Sequence, residues 1–364
     1  MQPAGPVETV VLLGVAIGGV GILTAGLLST VFQWPSVEVV DVGAWQPVGD
    51  ERIDVLTTVR VTNVSPLLAA ISDRLVANYH IDLNGVRLAT GRKDGLDITT
   101  DDGSIQLRTT IEHENIATLW ATYVSTDESM ALTTGGDITI GPWGLLTVAI
   151  PPVEQSVLDD ETPVIDALSS AADGIAENYA LDTGSLVSQL TDGLLRLGSA
   201  SPAVGYEIER GWATWGAVTP EETTVMFHFD IRNRGDVPLP SVPEVLDVTL
   251  EMNDIAMFTS KQRGATLVDA TSEPPLAPGQ RRRVEYPITM DNENVDLWFR
   301  SHVRNGERTD LLASIQLVFQ PLMLATSLKL PPGSVPTVSC DVQTGILVDQ
   351  ETKTTCAGPV GSPR

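Results

Sequence analysis

Histidine is the first place to look for acid–base or metal chemistry, and the chain has four: His80, His113, His228 and His302. Zinc sites gather several His, Cys or carboxylate ligands and announce themselves as closely spaced pairs. No two of these histidines form such a pair. His80 alternates with Asn78 and Asp82, and His228 with Met226 and Asp230, so both read as solvated side chains on the polar faces of strands. Asp101-Asp102-Gly103 has the makings of a cation-binding turn, but one pair of carboxylates falls short of the oxygen count of a calcium loop. The basic cluster Arg281-Arg282-Arg283 would alternate between the two faces of a strand. It reads as a salt-bridged surface rather than a contact for anionic lipid. A nucleophile elbow, a phosphate loop and a dinucleotide fingerprint are all missing from the sequence. The residues therefore predict no catalytic, cofactor-binding or metal site, and we expect the protein not to be an enzyme.

Cys340 and Cys356 enclose a stretch with no histidine and no second cysteine pair, which argues against zinc. A disulfide between them would stabilise the tail by roughly 3 kcal/mol in the chain-entropy view; two free thiols are the alternative. A bridge would place the folded part outside the cell.

The elements that would carry such residues belong to an unusually acidic chain. Its 364 residues hold 47 acidic and 22 basic side chains, a formal charge of −25, and only Lys93, Lys261, Lys329 and Lys353 are lysines. The acids recur along the whole length, and 42% hydrophobic content with long alternating runs argues against acidic disorder. Dispersed negative charge with few lysines points to a halophile, where salt screens the self-repulsion. It argues against nucleic acid as a partner, because phosphate binding needs a basic face. The uncharged segment 10–32 is long enough to cross a bilayer as a helix, and no Lys or Arg precedes it as a signal peptide would require. We expect a retained anchor, with Gly14 and Gly18 as a small-residue pair able to pack another helix.

Beyond the anchor, strand patterns dominate. Ile53, Val55, Thr57, Val59 and Val61 share one face of a run over 53–63, and Asn84-Gly85 sits at the centre of a hairpin. The second half repeats the order: Val225, Phe227, Phe229 and Ile231 alternate inward, and Asn253-Asp254 stands where Asn84-Gly85 stood. The strongest sign of duplication is a phrase. "ENIATLW" at 114–120 returns as "ENVDLW" at 293–298, its Glu-Asn displaced by 179 positions. Asn115 and Asn294 are placed to cap a short helix whose Leu-Trp pair packs onto the sheet, with Trp120 and Trp298 as core residues. Between the copies, Thr162-Pro163 opens a helical pattern over 162–179 (Ile165, Leu168, Ala172, Ile175, Tyr179). A second pattern runs over 185–198 with Leu186, Leu190, Leu194 and Leu197. We read both as an amphipathic connector packed on the sheets.

This order resembles the WHy domain, the water-stress and hypersensitive-response module of the type 2 late-embryogenesis-abundant family. The resemblance rests on strand-end Asn63 and Asn233, on the hairpin residues Asn84 and Gly85 with Leu88 and Gly91, and on the short helix. The family's proline after the strand-end Asn is displaced to Pro66 in the first copy, and Arg234-Gly235-Asp236 replaces it in the second. The resemblance implies two tandem β-sandwiches of fibronectin type III or immunoglobulin-like shape, no catalytic residues, and a role in stress or desiccation protection. The expected division is an anchor (1–33), a first sandwich (34–155), a helical connector (156–200), a second sandwich (201–335) and a tail with the cysteine pair (336–364). Membrane contact through 10–32 is expected, with the domains extracellular. Lipid binding in an apolar groove, or a part in envelope adhesion or assembly, are the rival functions.

Overall fold

Alternation governs the strands. Ile53, Val55, Thr57, Val59 and Val61 are all buried, as are Val225, Phe227, Phe229 and Ile231. The computed structural model describes residues 36–45, 53–62, 70, 72–96, 103–140, 146–158, 162–181, 203–241, 243–263, 274–319, 328–333, 335, 337–348 and 350–360. The expected anchor over 10–32, Asn63 with Pro66, the Asp101-Asp102 pair and the helix over 185–198 lie outside the described residues.

The chain is mainly β, with antiparallel sheets packed as sandwiches and few helices. The first copy runs β1 (Ser36–Trp45), β2 (Asp54–Thr62), β3 (Leu75–Leu83), β4 (Val86–Asp94), β5 (Gly103–Ile111), α1 (Ile116–Ser125), β6 (Met130–Ile140) and β7 (Leu146–Leu158). Then come α2 (Pro163–Asp173) and β8 (Asn178–Leu181). The second copy runs β9 (Val204–Val218), β10 (Glu222–Asn233), β11 (Val245–Met252), β12 (Ile255–Arg263), β13 (Arg281–Asp291), α3 (Val295–Arg304) and β14 (Arg308–Phe319), followed by β15 (Leu328–Leu330), β16 (Thr337–Gln343) and β17 (Lys353–Val360).

Strand order shows the repeat. One sheet reads β1-β2-β5-β4-β3-β6-β7; the second half reads β13-β10-β9-β8 and β12-β11-β14-β16-β17, with β15 also on β14. The series β1-β2-β5 thus matches β9-β10-β13, and β4-β3-β6 matches β12-β11-β14. In the first copy the two layers are joined at their edge by two residue pairs, Ala89–Ile111 and Thr90–Thr110. In the second the equivalent strands fall in separate sheets.

Both hairpins turn on two residues of positive φ: Asn84 (48°) with Gly85 (74°), and Asn253 (51°) with Asp254 (63°). Each asparagine also fastens its hairpin to the next strand. Asn84 donates to the Ser129 carbonyl at 2.8 Å and accepts from the Ala131 amide at 2.8 Å. Asn253 does the same with the Arg308 carbonyl (3.1 Å) and the Asp310 amide (2.8 Å). Buried Asn233 holds its own corner, donating to the Val237 and Leu276 carbonyls and accepting from the Gly235 amide.

The helical pattern over 162–179 is cut short. Helix α2 ends at Asp173 with Gly174 as its C-cap, and residues 178–181 become β8, paired with Val204–Glu207 of β9. Ile175 falls in the turn after α2, while buried Tyr179 suits either geometry and the open edge of β9 draws it into β8. Leu168 and Ile175 sit in the same core as both copies. The cysteines are joined, Cys340 to Cys356 across β16 and β17.

Candidate functional site

The two copies meet through their short helices, and the residues there obey the 179-residue spacing. Ile116, Leu119, Trp120, Tyr123 and Val124 of α1 correspond to Val295, Trp298, Phe299, His302 and Val303 of α3. The phrase "Leu-Trp" is therefore displaced by one residue between the copies. One residue is about 100° of helix rotation, so Leu297 lands where Thr118 stands and is 48% exposed. Trp298 takes the place of Leu119, and Phe299 that of Trp120. This corrects the expectation that both Leu-Trp pairs pack onto their sheets. Trp120 instead meets Trp298 edge-on across the junction, with ring centroids 5.4 Å apart.

The first strand of each copy sends a tryptophan into the other. Trp215 of β9 packs against Trp120 at 6.1 Å, and Trp45 of β1 against Phe299 at 6.3 Å, both edge-to-face. Their indole N–H groups find buried glutamates. Trp215 donates to Glu128 at 3.0 Å and Trp45 to Glu307 at 2.6 Å. Glu128 and Glu307 are themselves 179 positions apart, have no solvent exposure, and follow their helices at φ of 62° and 58°.

Each carboxylate also gathers the backbone of a downstream segment. Glu128 accepts from Val164 N–H (2.7 Å) and Ile165 N–H (2.8 Å), the first-turn amides of α2, and from the Tyr123 hydroxyl at 3.1 Å. It does for α2 what the N-cap Thr162 side chain does not. Glu307 accepts from the amides of Ile346 (2.5 Å), Leu347 (2.7 Å) and Val348 (3.0 Å), and from the Thr344 hydroxyl at 3.2 Å. His302, the counterpart of Tyr123, reaches Glu307 through that hydroxyl: its Nε2 lies 2.8 Å from Thr344 Oγ1 and its Nδ1 2.8 Å from Thr309 Oγ1. Burial pushes the Glu128 carboxyl up to about 7, with its hydrogen bonds opposing a larger rise. Burial alone depresses His302 to about 4.

The expected capping role of Asn115 and Asn294 is not met, because neither side chain makes a cap bond. They tie the helices to the hairpins, Asn115 donating to the Arg87 carbonyl at 2.8 Å and Asn294 to that of Ala256 at 2.9 Å. The histidines divide. His80 keeps part of its ring in solvent, whereas His228 is stacked flat on Trp212 at 5.0 Å and largely covered. His302 is buried. The arginine cluster is ion-paired, Arg281 with Glu209 and Arg283 with Asp230, each at 2.9 Å. Among the described residues no group of His, Cys, Asp and Glu is arranged to hold a metal, and no helix is long and apolar enough to cross a membrane.

Trp120, Tyr123, Val164, Trp298, His302 and Val342 surround an apolar void of about 40 Å³ at the junction. That is room for about one water and too little for an acyl chain. At ~24 cal/mol per Å³ such a void costs about 1 kcal/mol. Val342→Ile, which adds one methylene from the wall, should raise the unfolding free energy by up to about 1 kcal/mol in urea titrations. A loss of stability would mean the space is already filled.

The glutamates were the residues the motifs missed. Their signal was present: an acid preserved at the phrase's own spacing, just past the helix.

No family model matches the chain, and no curated protein matches it. Among solved structures it is similar to a crystal structure of a protein from Archaeoglobus fulgidus, at 18% identity and a TM-score of 0.28 over 42% of this chain and 97% of that one. It is also similar to the BSP domain of a biofilm-associated protein, at 10% identity and a TM-score of 0.19 over 84% of this chain and 67% of that one.

Proposed function

We propose that the chain is a non-enzymatic protein of the late-embryogenesis-abundant type 2 class. In this reading it is two WHy-like sandwiches of fibronectin type III shape, held at the outer face of a halophile's membrane by residues 10–32. Its role is to protect other components during drying and osmotic stress. One observation carries the reading: the residues of the repeat are spent inside the fold. Asn84, Asn253, Asn115 and Asn294 bond their own backbone, and the tryptophans and glutamates close the junction. What remains for a client is a hydrated, acidic surface. The lipid rival needs an apolar groove; the apolar void at the junction offers about 40 Å³, and the larger cleft of about 550 Å³ beside His80 is lined by polar groups such as Asn78, Arg87 and Asp137.

The test is to dry a desiccation-labile dehydrogenase with the purified chain in molar KCl and measure the activity recovered on rehydration. Recovery should exceed that with an equal mass of serum albumin. Equal recovery, or stoichiometric acyl chains extracted from the purified chain, would reject the reading. The halophile element is tested separately. The Debye length falls from about 10 Å at 0.1 M salt to about 3 Å at 1 M, so a fold with a charge of −25 should melt at clearly higher temperature in molar KCl. A melting temperature indifferent to salt would contradict it.

A further inference from the structure

We propose that Glu128 is a proton-operated latch that holds the start of α2 and the second copy's Trp215 to the first copy. An ionised carboxylate only accepts hydrogen bonds, and Glu128 receives four: two amides of α2, the Trp215 indole and the Tyr123 hydroxyl. Those donors come from three separate elements, so a single side chain ties α1, α2 and β9 together. A neutral carboxyl holds the same four groups less firmly, because bonds to an ionised acceptor are about twice as strong as neutral ones. Proton uptake on Oε2 turns that oxygen into a donor aimed at the Tyr123 hydroxyl, which can reverse and accept. The Val164 amide is then left with a hydroxyl oxygen, a much poorer acceptor than a carboxylate, and the cap on the first turn of α2 weakens. The helix N-terminus also loses the negative charge that its dipole favours.

The electrostatic setting makes this transition accessible. Glu128 is buried without a cation among its hydrogen-bond partners. Tyr123 faces it from α1; the first turn of α2 carries Asp166; β9 between Gly211 and Val218 has no ionisable side chain; and Asp127 precedes it in the chain. His302 on α3, held neutral by burial, borders the adjoining void with Tyr123 and Val164. Burial with no compensating positive charge favours the neutral form near neutral pH. Taking up the proton removes the cost of a buried charge while weakening the hold on α2. The latch can therefore open locally without the whole fold becoming less stable.

Hydrogen exchange on the full chain in molar KCl tests this. After correction for the intrinsic pH dependence of exchange, protection at Val164 and Ile165 should fall at least tenfold between pH 8 and pH 5.5. In Glu128→Gln, which is neutral throughout, protection should be low at both. Constant protection in the wild type, or the same pH-dependent loss in Glu128→Gln, overturns the proposal. Should the variant not fold, the wild type still decides. The Glu128 carboxyl carbon and the Val164 and Ile165 amides should titrate together by NMR. A carboxyl that titrates while those amides stay unmoved overturns it.

Discussion

Replacing Glu307 with alanine should destabilise the chain by about 4 kcal/mol, measured by urea unfolding in molar KCl. The carboxylate is buried and accepts from three consecutive amides, the Thr344 hydroxyl and the Trp45 indole. Alanine leaves these donors facing a hole. An unsatisfied buried donor costs about 1–3 kcal/mol, so five left together would cost more than the expected total before any relaxation. Backbone relaxation and entering water will recover part of the sum. Two further variants separate the contributions. Glu307→Gln keeps the shape and one acceptor but turns an amide NH₂ toward existing donors, so about half the loss should remain. Glu307→Gly loses the same bonds as alanine but relieves the left-handed backbone at φ 58°, worth about 1 kcal/mol, and should be the less damaging of the two. A loss under about 1 kcal/mol for Glu307→Ala would show that the cluster is already served by water.

Glu307 has a role that no local pattern announces. Strands and hairpins were legible because their causes are local. Alternation put Val225, Phe227, Phe229 and Ile231 on one face, and Asn84-Gly85 carries the φ preference its turn demands. The duplication was legible too, through a phrase long enough to recognise. What the phrase does was not, because Trp120 meets Trp298 only once two sheets have folded and docked. The shared letters "Leu-Trp" even misled: the spacing of Glu-Asn, Tyr123 with His302, and Glu128 with Glu307 sets the true register, one residue off. In a chain with 47 acidic residues, two more glutamates pass for surface charge. The end of α2 was hidden for a different reason. Ile175 and Tyr179 are four apart, a spacing that fits the same side of a helix and the same face of a strand alike. The free edge of β9, far along the sequence, selects the strand.

Opposed pH dependences should be concealed in the wild type and exposed by single variants at the junction. Glu128 has a native pKa of about 7 against an ordinary 4.5. Between those values the unfolded chain has released a proton that the native state still holds, so stability falls as pH rises through the window. At 1.36 kcal/mol per unit the change is about 3 kcal/mol. His302 lies at about 4 against an ordinary 6.5. Between those values the unfolded chain binds the extra proton, so stability rises with pH across the window, by a similar ~3 kcal/mol. From pH 4.5 to 6.5 the two slopes oppose and nearly cancel. Removing one uncovers the other. The stability difference between wild type and His302→Gln should shift in favour of the wild type by about 3 kcal/mol from pH 4 to 6.5. The difference between wild type and Glu128→Gln should shift the opposite way, by about the same amount, from pH 4.5 to 7. Subtracting each variant from the wild type at matched pH and salt cancels the other titrating groups, provided they do not couple to the substituted site. The fixed cost of each substitution moves the difference up or down without tilting it. The slopes therefore test the titrations themselves, and two differences that stay level across pH would show that neither group changes its proton affinity on folding.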